Sequence, residues 1–369
     1  MNRLFRWDQM GLFLLALAAG ILPFAVPEVC AAALREGLTL CSGPLLLSLF
    51  PFLVVSRLLV QCPESDLLAL PFRLAAWGIG IRTPCAARVL CIGFLGGFAP
   101  AASAAAQAVR TGQLTAEEAD ALLPACICSG PSFVVLTVGQ SLLGSAELGV
   151  LLFASQITAN YLTAALLNRF AGVRSVKPGS AAPAFPAPPR LDEILADAAI
   201  TYCKLCGFIL FFRMLAAGAG ALLPAGAGTL CAVLLEVCSG CDLASRTGRW
   251  GSLLCCAALS VQGLSVLLQV RTICPPEMTL RPLYRSRLLH LPLSLALFYL
   301  LLPGGEADVF STLPARVLLM RRVSPDCALL VFAVCCMAAC TLRSGIRQVE
   351  QKQMARNAGG CCINSKTLL

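Results

Sequence analysis

Histidine occurs once, at His290, and charged residues make up only 13% of the 369. One imidazole gives no histidine-rich metal site and little scope for a nucleophile–base pair. No phosphate-binding glycine loop and no nucleic-acid motif stands in the chain. Soluble domains carry charge on about a quarter of their residues. Half that fraction leaves too little polar surface to cover a globule of this size. The chain is also too apolar to be disordered and too long for a small secreted disulfide scaffold. These absences point away from an enzyme with catalytic residues, a metal, a resident cofactor or a nucleic-acid partner. They leave an all-α polytopic membrane protein whose surroundings are the lipid bilayer.

Apolar residues, by contrast, make up 58% of the chain, and the mean hydropathy is +0.82. A span needs about 20 predominantly apolar residues. Eight segments qualify or nearly so: 10–33, 38–60, 121–142, 146–167, 194–215, 252–270, 288–302 and 317–338. The seventh is short and borrows residues upstream. The first has no small-residue cleavage site after it, and Pro-Glu-Val before Cys30 is no lipobox, so it is read as a retained span. Two further stretches, 89–109 and 219–239, are rich in Gly, Ala and Pro with polar residues at their centres. Broken backbone at membrane depth survives only where protein or a water-filled cavity satisfies it. Both are read as re-entrant helical hairpins, with ordinary small-residue packing helices as the alternative.

The net charge of +9 follows topology. Arg3 and Arg6, then Arg169, Arg174, Lys177 and Arg190, then Arg343, Arg347, Lys352, Arg356 and Lys366 mark three cytoplasmic segments. The segment 303–312 carries Glu306 and Asp308 with no base, which suits the outer side. Eight spans and two non-crossing hairpins meet these placements, although the short loop with Arg246 and Arg249 then falls outside. Five prolines in the twenty residues 171–190 make an extended cytoplasmic linker between two halves. The halves share an order of elements in opposite orientations, the inverted-repeat plan of many secondary transporters.

The 21 cysteines sit mostly inside apolar segments, where a thiol packs as a small hydrophobe. The CxxC pairs Cys203/Cys206 and Cys238/Cys241 lie far apart and in no polar loop, so packing is favoured over metal or redox chemistry.

Several segments in order resemble a known family. They read GLTLCSGPLLLSLFPFLVVSRLL, GFLGGFAPAAS, RTGQLTAEEADALLP, CICSGPSFVV, SQITANYLTAALL, LLEVCSG, LSVQGLSVLLQV and RSRLLHLPLSLAL. Together they are similar to the YlbJ-like sporulation integral membrane proteins, which carry the nucleoside recognition (GATE) domain. The resemblance implies a fold like that of concentrative nucleoside transporters. It implies a role in endospore formation, with dipicolinic acid moved across the outer forespore membrane as the family function. On it the chain divides into an N-terminal span and loop (1–37), a first GATE-like half (38–170), the linker (171–192), a second half (193–303), a C-terminal span (304–342) and a basic cytoplasmic tail (343–369). The family's hairpin lysine is replaced here by Ser103, its Asn-Thr-Ser-Ser-Pro run reads Cys126-Ile127-Cys128-Ser129-Gly130-Pro131, and a histidine often seen later is Leu267.

The residues themselves suggest where a ligand would sit. Pro131 in Ser129-Gly130-Pro131-Ser132 frees the Ile127 carbonyl from its helical bond, and the next half-helix begins near Ser132 with a positive dipole end. A carboxylate could be bound there by Ser129 and Ser132, or the motif could be a plain proline kink. Gln262-Gly263-Leu264-Ser265 is the matching interruption in the second half, with Gln269 on the face of Gln262 if the helix continues. Glu236, followed by Ser239, is an acid in an apolar segment. It could carry a proton or help hold a coupling Na+ or H+, or simply pair with Arg213 or Lys204. Gln156 and Asn160 form a weaker pair, read equally as interhelical glue. Ser103 shares a face with Gln107 amid alanines. The function expected is transport of a small carboxylate. The alternatives are a non-transporting scaffold of a spore-envelope complex, and a nucleoside or ion transporter of the same fold. A homo-oligomer is compatible with each.

Overall fold

The computed structural model describes residues 7–61, 65–171 and 191–302. The linker 172–190, the expected span 317–338 and the basic tail lie outside the described residues. Every regular element among those described is helical.

The chain opens with α1 (Trp7–Ala25) and α2 (Pro27–Ser42), which meet at 110°. The expected single span over 10–33 is therefore broken at Val26. The cause is local: Pro27 has no amide to donate and drives the preceding residue out of helical backbone. Then come α3 (Pro44–Gln61), α4 (Ser65–Leu68) and α5 (Leu70–Gly78). The first Gly/Ala-rich stretch forms α6 (Pro84–Gly96) and α7 (Phe98–Arg110), which pack on each other about Gly97. Next is α8 (Ala116–Cys126), then an irregular break, and then a π-helical segment, Ser132–Leu142. The long α9 (Ala146–Ala171) closes this half.

After the linker, α10 (Leu191–Leu222) is longer than the expected span and takes up the start of the second Gly/Ala-rich stretch. The second hairpin is thereby displaced to α11 (Ala225–Leu235) and α12 (Val237–Ser245), which pack together about Glu236. A 3-10 turn (Gly248–Trp250) leads into α13 (Gly251–Val261) and α14 (Gly263–Ile273), separated by Gln262. The last described helix, α15 (Arg281–Leu301), does borrow upstream residues, 281–287, including Arg287. Three described helices are long and apolar enough to cross a membrane: α9, α10, and the composite Gly248–Ile273. The bent α1–α2 pair makes four. Largely exposed apolar side chains such as Phe24, Phe170, Leu288 and Leu300 suit a surface in contact with lipid.

The capping box is present. Thr115 Oγ1 accepts from the Glu118 amide at 3.1 Å, and Glu118 Oε2 accepts from the Thr115 amide at 3.1 Å. Thr83 Oγ1 donates to Glu118 Oε1 at 2.6 Å, so the same carboxylate ties the starts of α6 and α8. Along α7 the alanines at 99, 101, 102, 104, 105, 106 and 108 are all buried. Their small side chains let α3, α6, α8 and α14 close around it. That encloses α7 in the bundle and brings its N-terminus to the centre of the molecule.

Candidate functional site

Four interruptions meet at one place. Gly97, between α6 and α7, has φ +81° and ψ −163°, a region that is essentially glycine-only. A Cβ there would stand 2.6 Å from the Gly130 amide nitrogen, so the first hairpin's tip lies directly on the break after α8. The second half repeats the contact. A Cβ on Gly263 would stand 3.0 Å from the Glu236 nitrogen, so the break after α13 lies against the second hairpin's tip. The two breaks are themselves joined, because Gln262 Nε2 donates to the Ile127 carbonyl at 3.2 Å.

The geometry brings four helix N-termini together: those of α7, the π-helical segment, α12 and α14. Each presents amide groups and the positive end of a dipole. Only α12 has a side-chain cap. Glu236 Oε1 accepts from the Cys238 amide at 2.8 Å, and Oε2 accepts from the Ser239 amide at 2.7 Å and from Ser239 Oγ at 2.9 Å. This capping explains how a carboxylate only 2% exposed is held inside an apolar segment. Neither Arg213 nor Lys204 is its hydrogen-bonded partner; Arg213 instead pairs with Glu36 at 2.6 Å. The other three N-termini have no side-chain cap.

Ser129, Gly130, Ser132, Glu236 and Gln269 line one cavity of about 70 Å³, walled on its apolar side by Leu49, Phe52 and Phe133. Small-molecule sites are typically about 300–1,000 Å³, so the cavity is smaller than such a site. Pro131 starts the π-helical segment. Ser239 does not line this cavity; it lines a second one, beside Arg213 and Asp242. Ser103 lies apart from the central cavity, in a third one that Gln269 also lines. Gln262 and Gln269 do not share a helical face: Gln262 has φ +63°, so the helix does not continue through it. Within α14, Gln269 Nε2 donates to Ser265 Oγ at 3.0 Å.

Sequence reading missed the larger part of the polar centre. The Ile127 carbonyl, freed by Pro131, accepts from Asn160 Nδ2 at 3.1 Å and from Arg287 Nη1 at 3.5 Å, besides Gln262. Arg287 Nη2 also donates to Asn160 Oδ1 at 3.1 Å. One turn on, Gln156 Nε2 donates to Ser260 Oγ at 3.0 Å, Ser260 bonds Ser294, and His290 Nε2 lies 3.2 Å from the Gln156 carbonyl. Arg287, His290 and Ser294 fall at i, i+3 and i+7, one face of α15. That spacing was the available signal, obscured because the span was started at Leu288. Gln156 and Asn160 thus belong to a network joining both halves. Among the described residues the fourteen cysteines shown are free thiols, and no group of three or more metal-binding side chains occurs.

Gln262 is a strained residue with a use. Left-handed backbone costs a non-glycine residue about 1–2 kcal/mol. Gln262→Gly removes that strain together with the amide that bridges the halves, while Asn160 and Arg287 still satisfy the Ile127 carbonyl. Thermal stability in detergent is expected to change by no more than about 1 kcal/mol, while any activity that needs the bridge falls. A large drop in stability would show that the bridge is chiefly structural.

No family model, no curated protein and no solved structure matches the chain.

Proposed function

We propose that the protein is a multi-pass membrane transporter of a small carboxylate, with dipicolinic acid the leading substrate, working in the outer forespore membrane during sporulation. One observation carries the reading. Two helix N-termini without side-chain caps, those of α7 and the π-helical segment, border a central cavity that also bears the Ser129 and Ser132 hydroxyls. Free amides at helix starts are ready-made anion sites, and secondary transporters place them at the membrane midplane where broken helices meet. Two hairpins, each seated on a broken segment, support an inverted repeat like that of concentrative nucleoside transporters, with eight spans in the whole chain. The sporulation setting and the choice of dipicolinate rest on the family resemblance. The coupling ion is Na+ or H+, and Glu236 is the acid placed to respond to it.

A second reading, a scaffold or regulator without transport, is favoured by two features. The cavity is small, and the Glu236 carboxylate already accepts three hydrogen bonds as a cap. Flux separates the two readings. Proteoliposomes are expected to take up dipicolinate, with nucleosides as poor competitors. Ser132→Ala is expected to lower uptake about tenfold, the effect of one charge-assisted hydrogen bond of about 1.4 kcal/mol. Glu236→Gln keeps an acceptor for the cap and is expected to alter the response to the coupling ion more than stability. Absence of flux, with both variants also silent in sporulation, would leave the scaffold reading.

A further inference from the structure

The third cavity, that of Ser103, has a volume of about 180 Å³ and lies between α3, α7, α10 and the end of α14. Its lining from α10, Asp197 to Phe208, belongs to the N-terminal part of that helix. Arg57, Arg110, Lys204 and Asp197 stand around it, with Ser103 and Gln269 deeper in. Asp197, the sole acid among its lining residues, is already paired with Arg57. Arg110 makes only a 3.5 Å contact with the Ile273 carbonyl, and no carboxylate pairs with it or with Lys204 among the described residues. Three cations thus face one carboxylate, an excess of two positive charges.

The floor adds an independent observation. Gln269 is 2% exposed, and its Oε1 has no hydrogen-bond partner. A glutamine amide can be turned over at little cost when its neighbour is a hydroxyl. With the amide turned, the Ser265 hydroxyl donates to Oε1 and the NH2 group takes the unpartnered position. Gln269 also lines the central cavity at the helix breaks. One side chain therefore forms the wall between a basic vestibule and the proposed substrate site.

We propose that this vestibule is a separate docking site for small organic dianions, and that Arg110 and Lys204 set a preference for two carboxylates over one before the ligand passes Gln269. The inference rests on the transport reading for its purpose, but not for its test. A cleft lined by one sign of charge raises the local concentration of a counter-charged ligand, and does so more steeply for a dianion.

The test uses the full chain in nanodiscs. Calorimetry measures binding of dipicolinate as the dianion and benzoate as the monoanion, and flux is measured separately in proteoliposomes. Arg110→Gln with Lys204→Gln is expected to weaken dipicolinate binding roughly tenfold or more and to change benzoate binding less than about twofold. Arg110→Lys with Lys204→Arg keeps the charges and is expected to restore the preference, which excludes a folding defect. Binding without flux would support the vestibule and overturn transport. No binding of dipicolinate, equal binding of the two anions, or binding untouched by the double glutamine variant would each overturn the vestibule.

Discussion

Arg287→Met is expected to leave the protein about as stable as the parent and, on the proposed transport function, to lower flux by about 100-fold or more, the effect of about 2.7 kcal/mol. Arg287 lies two turns into α15, is 8% exposed, and has no carboxylate partner among the described residues. Burying a guanidinium without a counter-charge costs several kcal/mol even after relaxation. Its bonds to the Ile127 carbonyl, Asn160 and Ser286 return only part of this. Methionine fills a similar length with no charge to desolvate. It leaves Asn160 Oδ1 without that donor, at about 1–3 kcal/mol, while the Ile127 carbonyl keeps two donors. Loss and gain nearly cancel in stability, so a retained arginine needs another reason. A fixed positive charge beside the break, two residues from Ser129, is what a carboxylate ligand would require. Arg287→Lys keeps the charge but not the planar fork, and is expected to fall between the two. The measurements are melting in detergent and initial flux per folded molecule. If Arg287→Met melts much lower while flux per folded molecule is unchanged, the arginine is structural.

The breaks in this fold could be read from the sequence because each has a local cause. Pro131 cannot donate, Gly97 and Gly130 permit close backbone, and Thr115 with Glu118 announces a helix start. The hairpins were visible as Gly/Ala-rich composition, though the second was placed too early because α10 has no proline or polar cluster to end it before Pro224. Partners across the bundle were not legible. Nothing in the spacing of Asn160, Gln262 and Arg287 says that all three reach one carbonyl. Hydrophobic periodicity ranks such residues as interruptions in a span, and only packing shows that the interruptions face one another. Glu236 illustrates the converse. Its oddity was plain in the sequence, yet its first role is the ordinary one of capping the helix that follows it. The vestibule was hidden for a third reason: Arg110 follows the first Gly/Ala-rich stretch and Lys204 lies inside the span 194–215, and only packing brings them to one cavity.

The seating of hairpin on break yields the second large effect. Gly97→Ala is expected to cost about 3 kcal/mol or more in stability, enough to lose most folded protein if the parent is marginal. Two terms combine. The backbone at φ +81° and ψ −163° excludes any Cβ without strain, and the new carbon would meet Gly130 nitrogen at 2.6 Å and Gly130 Cα at 2.9 Å. Both neighbours are backbone, so no rotamer change relieves the clash and the hairpin must lift off the break. Two other glycines separate the terms. Gly112 has φ +68° with nothing within 4 Å of an added Cβ, so Gly112→Ala carries strain alone, about 1 kcal/mol. Gly263, with φ +67° and its closest contacts at 3.0 Å, falls between them. The expected order of loss, read as the melting shift or the monodisperse fraction in detergent, is Gly97→Ala, then Gly263→Ala, then Gly112→Ala. Equal shifts for Gly97→Ala and Gly112→Ala would mean that the contact between hairpin and break contributes nothing. Because the same contact positions the uncapped N-terminus of α7 over Ser129, the folded remainder of Gly97→Ala is also expected to be inactive in flux. Gly112→Ala, remote from the breaks, keeps its activity.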